Sequence, residues 1–265
     1  MMAPFSVGKF GRWWWLLVAA FVIALVVLAP AALFEWALSR TAQSPIRFAA
    51  SDGTVWRGNG RIALRSEVAG EVIAIRWRFD PLALLRFRLG FFLEASAPAL
   101  VGKTHLGLRF NDFELRDTAL SVDARLLSAS HIAGALIAPT GRIGLQQSAE
   151  EHFSVRPAAD DQHAWRADGL ISLQAEQLVF GGILNAPVGN HELKLRGDGA
   201  TINISVVRST GPLKLEGTGA IALAPPRRVT FSGFATAADG APAALKQLGP
   251  MMADGRQRID LNTPW

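Results

Sequence analysis

Cysteine is absent from this 265-residue chain, and so is tyrosine. Without cysteine there is no disulfide, no iron–sulfur cluster, no zinc–cysteine site and no thiol nucleophile. The compartment stays open, because a cysteine-free domain is stable under reducing and oxidising conditions alike. Histidine is scarce as well: His105, His131, His152, His163 and His191 are scattered, with none at metal-pair spacing. A dense charge run is also lacking. Lysine plus arginine number 27 against 22 acids, a net charge of +5, and no block has the length of a nucleic-acid-binding tail. Nucleic acid is therefore not an expected partner.

The chemistry-bearing motifs are missing too. No glycine-rich loop opens a helix in the way a phosphate cradle requires. No Gly-x-Ser-x-Gly elbow occurs, and His191-Glu192 lacks the second histidine of a zinc-protease helix. The best metal candidate gathers Glu150, His152, Asp160, Asp161 and His163, a composition that equally suits a solvated loop. Asp80, between Arg78 and Arg86, reads as a helix cap. Trp56 and Trp77 read as paired core aromatics before they read as a ligand platform. The expectation is a non-enzyme with no cofactor and no metal.

What is present begins with residues 13–29, an unbroken apolar run (WWWLLVAAFVIALVVLA), with no charge between Arg12 and Glu35. Continued through Trp36, it reaches the roughly 20 residues needed to cross a hydrocarbon core. A central charge would cost about 3 kcal/mol on insertion scales, so the gap in charge is informative. Trp13, Trp14 and Trp15 suit an interfacial belt, and Leu16, Phe21, Leu25 and Leu28 suit the hydrocarbon. A cleaved signal peptide, with Ala29-Pro30-Ala31 at the cut, is the main rival; the run is longer than the apolar core of such a peptide. A helix buried in a soluble domain would need cover on all sides, since the run has no polar face. Flanking charge leaves the direction a tie, with Lys9 and Arg12 before the run and Arg40 and Arg47 after it.

Beyond the anchor the chain alternates. Residues 72–79 put Ile73, Ile75, Trp77 and Phe79 on one side and Ala74, Arg76 and Arg78 on the other, the period of a half-buried strand. Asp80-Pro81 then offers a cap and first-turn proline for a short helix over 82–86. Strands are expected over 87–95, 106–110, 113–122 and 141–147, with a turn or two of helix at 123–130. Residues 53–64 read as strand, turn, strand, the turn at Gly58-Asn59-Gly60. Residues 146–164 read as a polar connection between halves. Further strands are expected over 170–173, 177–180, 192–196, 201–207, 213–216, 220–223 and 229–234, a short helix at 241–252 and a closing strand at 258–261. Close glycine-rich spacing marks an antiparallel meander and not β–α–β units.

A repeat runs through this pattern. Leu193-Lys194-Leu195-Arg196-Gly197-Asp198-Gly199-Ala200 matches Leu213-Lys214-Leu215-Glu216-Gly217-Thr218-Gly219-Ala220, and the tail of the second copy echoes Gly58-Asn59-Gly60-Arg61-Ile62-Ala63-Leu64. Recurrent hairpin or bulge chemistry in a curved sheet is the first reading, glycine supplying φ > 0, and a duplicated module is the alternative. The fold class expected is mainly β: an N-terminal transmembrane helix, then a curved antiparallel meander with one or two short helices. Its divisions are a tail (1–12), an anchor (13–36), a first β half (37–150) and a second (151–265), or one continuous β domain.

Several of these elements together resemble a known family. The basic tail, the single span ending near a proline and Gly53-Thr54-Val55-Trp56-Arg57-Gly58 look like bacterial type II secretion system protein N. Residues 75–85, a tryptophan strand running through Trp77 into the Pro81-led leucine turn, resemble its second signature. Residues 187–195 around Gly189, residues 211–217 with Gly217, the Gly219 that follows and the stretch 245–256 are similar to its later elements. The second half departs from the pattern at Ser172, where a tryptophan would stand, and in the polar 146–164 stretch. The resemblance implies a single-pass protein of the cell inner membrane, N-terminus cytoplasmic and bulk periplasmic, accessory to protein export. It implies other secretion-system proteins as partners and no catalytic residues. Such meanders also resemble AsmA-like envelope proteins, which makes lipid acyl chains the alternative ligand.

Overall fold

The computed structural model describes residues 10–33, 46–64, 72–109, 112–128, 138–148, 150–159, 161, 164–181, 186–247 and 249–264. Helix α1 (Phe10–Val27) comes first, with 18 residues and no acidic residue in its first turn. At 1.5 Å per residue it is about 27 Å long, a little under a hydrocarbon core of about 30 Å. Among the described residues no helix is long and apolar enough to cross a membrane. The anchor expected over 13–36 is thus not one helix. Proline at 30 has no N–H and disfavours helix in the residue before it, and the chain instead leaves the helix at Leu28. Residues 34–36 of that expectation, and the side chain of Trp13, lie outside the described residues.

Beyond α1 the described residues form one antiparallel sheet of fourteen strands. In chain order these are β1 (Ile46–Gly53), β2 (Arg57–Leu64), β3 (Val72–Asp80), β4 (Leu89–Ala97), β5 (Leu100–Arg109), β6 (Asp112–Asp123), β7 (Ala138–Gln146), β8 (His152–Pro157), β9 (Trp165–Gly181), β10 (Asn190–Gly199), β11 (Thr201–Thr210), β12 (Leu213–Ala222), β13 (Arg228–Ala237) and β14 (Gln257–Pro264). Neighbours in space follow neighbours in sequence, except that β7 pairs with β9 while the short β8 bridges β6 and β9. A 3₁₀ helix (Pro81–Arg86) joins β3 to β4, helix α2 (Arg125–Ser128) follows β6, and a second 3₁₀ helix (Ala243–Gln247) precedes β14.

Period-two alternation gives the sheet two unlike faces. The register sets Trp77 opposite Leu93, Leu93 opposite Thr104, Leu106 opposite Leu115, Leu145 opposite Leu173, Leu173 opposite Leu193 and Leu195 opposite Ile204. These side chains, apolar apart from Thr104, share one face from β3 to β14, ending on Phe231 opposite Leu261. Arg76, Glu94, Lys103, Arg196, Lys214 and Arg258 occupy the other face and are exposed. Two buried clusters lie on the sheet. One joins Ala31, Trp77 and Phe91; the other gathers Ala124, Ala175, Leu178, Val188, Leu213, Ala235 and Leu245 beneath the second 3₁₀ helix. On the same face Leu193, Leu195, Ile202, Ile204 and Ile221 are only half-buried.

Several local expectations change. The turn between β1 and β2 falls at residues 54–56, and Gly58-Asn59-Gly60 lies within β2. Gly217 and Gly219 likewise lie inside β12, not at a turn. The reason is steric. A Cβ on Gly58 would stand 2.6 Å from Cζ2 of Trp77, and one on Gly217 would stand 2.9 Å from Cζ of Phe231. These glycines make room for an aromatic ring from the next strand. The polar 146–164 stretch contains β8, whose Phe153 and Val155 reach the apolar face opposite Leu115 and Phe113. The two strands expected over 170–180 are one strand of 17 residues, in which Gln177 takes a positive φ of 51°.

Candidate functional site

The first site is the corner where α1 meets the sheet. Pro30 forms an antiparallel bridge with Thr54. The Ala31 N–H donates to the Gly53 carbonyl at 3.1 Å, and the Val55 N–H to the Ala29 carbonyl at 2.9 Å. Ala31 is 1% exposed, packed with Trp77 at 4%. The Trp77 indole N–H donates to the Thr54 carbonyl at 3.1 Å, which ties the β1–β2 turn to β3. The Trp56 ring meets Phe79 edge-on at 4.8 Å between centroids, and the Phe79 N–H donates to the Trp56 carbonyl. Trp56 and Trp77 therefore serve the joint, and the buried Trp77 ring offers no open platform. Sequence reasoning missed Ala31; its only signal was a small residue just past a helix-ending proline.

On the far side of this joint α1 projects without cover. Trp15 is 74% exposed and Leu28 70%, and Trp14, Leu16, Phe21 and Leu25 are exposed as well. Asp80 caps the 3₁₀ helix as expected, its carboxylate accepting from the Leu82 N–H at 3.0 Å. His105 Nε2 lies 3.1 Å from the other oxygen of Asp80, and its ring stacks on Phe92 at 4.4 Å.

Charge concentrates on the polar face of β4–β6. Glu114 is buried and accepts from Arg88 and, at 2.6 Å, from Arg116; Arg88 also reaches Asp112 at 3.0 Å. A buried carboxylate between two guanidiniums is satisfied, and it marks structure before chemistry. His191, on the apolar face, is buried with Nδ1 2.8 Å from Ser209 Oγ. Burial pushes its pKa below the usual 6.5, against a smaller opposing contribution from the Val188 backbone. Among the described residues no group of three or more histidines and acids is arranged to hold a metal. Of the acidic loop candidates, His152 lies in β8, whereas Asp160 and His163 lie outside the described residues.

The second site is the pair of sheet edges. β1 pairs with β2 and β14 with β13. Among the described residues, the 29–31 segment covers the Gly53 end of β1. On β14, Met251 bridges Gln257 and the Arg258 N–H donates outward to the Pro250 carbonyl at 3.0 Å. By the same parity the backbone N–H groups of Asp260 and Asn262 point away from β13. Gly189, from the remaining family motif, has φ of 115° just before β10.

Fold and sites together define a one-sided, single-layer β sheet carried behind an exposed apolar helix, with edges open to pairing. A family model for the type II secretion system (T2SS), protein N, matches residues 45–260, and the chain belongs to that family. No curated protein and no solved structure matches it. Membership supports an accessory, non-catalytic role in type II protein secretion, association with the cell envelope and interaction with other components of the system.

Proposed function

We propose that the protein is held in the inner membrane by α1, N-terminus in the cytoplasm, with its β sheet in the periplasm. There it serves the secretion machine by pairing the open edge of β14 with a strand of a partner component. The observation that carries this reading is the outward row of backbone donors and acceptors over residues 259–264, uncovered by any described segment. An unpaired edge is a template for strand addition, in which main-chain hydrogen bonds supply affinity. The uncovered apolar side chains of α1 support membrane residence, and tethering raises the effective concentration of sheet and partner at one surface. The test is Asn262→Pro, which removes an outward donor and leaves the sheet-facing side intact. Secretion should fall while the protein stays folded and membrane-associated; unchanged secretion would count against edge pairing.

A second reading is favoured by a separate observation, the half-buried stretch of the apolar face at Leu193, Leu195, Ile202, Ile204 and Ile221. Acyl chains laid on that face would gain burial worth roughly 25 cal/mol per Å². Phospholipid recovered with the full chain, and lost on Leu195→Glu, supports it.

A further inference from the structure

The loop between β3 and β4 carries an exposed apolar cluster that the sheet does not use. Leu85 is 80% exposed and Phe87 83%, with Leu82, Leu84 and Leu89 exposed beside them. Only Ala83 of the 3₁₀ helix is buried. Phe87 caps that helix at φ 55°, ψ 38°, in the left-handed region. Glycine is the ordinary residue at such a cap. A phenylalanine held there, with its ring turned out to water, gains little packing from the described residues. Strain of this kind at an exposed position points to a use outside it.

The position of the loop names the occupant. It follows Phe79 and Asp80 directly, and Phe79 is bonded and packed to Trp56 of the turn that receives α1. The loop therefore leaves the sheet at the same end and corner as the uncovered apolar helix. Arg57, Arg78, Arg86 and Arg109, at the same end, are exposed. Apolar side chains at a tip with arginines around them match a bilayer interface, with leucine and phenylalanine in the acyl boundary and guanidiniums at anionic headgroups. From this we infer that the Pro81–Arg86 loop with Phe87 is a second membrane contact, dipping into the leaflet that α1 enters and fixing the tilt of the sheet above it. This rests on the reading that α1 resides in the membrane.

The absence of cysteine makes the test direct, because any introduced thiol is unique. The full chain carrying Leu25→Cys, Leu85→Cys, Phe87→Cys or Val101→Cys, one at a time, is labelled with an environment-sensitive fluorophore. Each is reconstituted in phosphatidylethanolamine–phosphatidylglycerol vesicles containing a shallow nitroxide lipid. Val101, exposed at the opposite end of the sheet, is the control. The expected result is blue-shifted, quenched emission at Leu25, Leu85 and Phe87 but not at Val101. The loop signal should weaken in phosphatidylcholine alone. Quenching at Leu25 with Leu85 and Phe87 no different from Val101 overturns the loop contact and leaves the anchor standing. No quenching at Leu25 defeats both. A Phe87→Gly variant guards against misfolding: quenching at Leu85 should drop although the variant unfolds no more easily, and retained quenching overturns the role given to Phe87.

Discussion

Gly58→Ala tests the joint between helix and sheet. The added methyl would stand 2.6 Å from Cζ2 and 3.0 Å from Cε2 of Trp77, and closer still to the Asp52 carbonyl. Ordinary carbon contacts are about 3.5–4.0 Å, so the ring or the strand must move by roughly 1 Å. The ring has little freedom: it is buried against Ala31 and Phe91, and its N–H is bonded to Thr54. Overpacking a filled site costs about 1–3 kcal/mol, and loss of the indole hydrogen bond about 1 kcal/mol more. The expected loss is therefore about 2–4 kcal/mol, a Tm fall of roughly 5–12 °C for a domain of this size. Thermal unfolding of the full chain in detergent, followed by circular dichroism, measures it. Limited proteolysis should show new cleavage near residues 28–33 at temperatures below the main transition. Gly240→Ala is the control: its φ is positive at 82°, unlike that of Gly58, but nothing lies within 4 Å of the added methyl, so only about 1 kcal/mol of backbone strain is expected there. A Gly58→Ala protein that melts with the wild type would refute the idea that Trp77 pins the anchor corner.

Other outcomes follow from the same contacts. Glu114→Ala strands Arg88 and Arg116; breaking a buried pair costs about 3–5 kcal/mol, and the lower end is expected because Arg88 keeps Asp112, measured by urea unfolding. His191 has its pKa lowered by burial, so the unfolded chain takes up a proton first as the pH falls below 6.5. Stability should drop from pH 6.5 down to the folded pKa and then level, and His191→Gln should flatten that limb. Phe87→Gly relieves a left-handed phenylalanine, leaving stability unchanged or raising it by up to about 1 kcal/mol in denaturant melts.

Much of the sheet was readable because its residues alternate. Ile73, Ile75, Trp77 and Phe79 carry the period of two so clearly that both the strand and its buried face follow, and Asp80-Pro81 announces the turn after it. The later strands were legible for the same reason. Where the reading failed, a tertiary neighbour decided the outcome. Gly58 and Gly217 look like turn residues until the rings of Trp77 and Phe231 are placed across them. β8 contributes few apolar residues and exists because β6 and β9 flank it. The helix end at Val27 reflects a proline that finds its strand partner at Thr54, a pairing that no local pattern announces. The arginine-rimmed apolar tip around Phe87 was hidden by its composition, since PLALLRF reads as an ordinary short helix with a buried stripe.

A membrane-held sheet that works through its open edge carries a partner strand along β14. In-cell photo-crosslinking tests it most directly, with the reactive residue placed at Asn262 on the β14 edge or at Leu195 on the apolar face. Adducts from Asn262 to a component of the type II secretion system are expected. Phospholipid adducts from Leu195 together with no secretion component captured from Asn262 would contradict edge pairing.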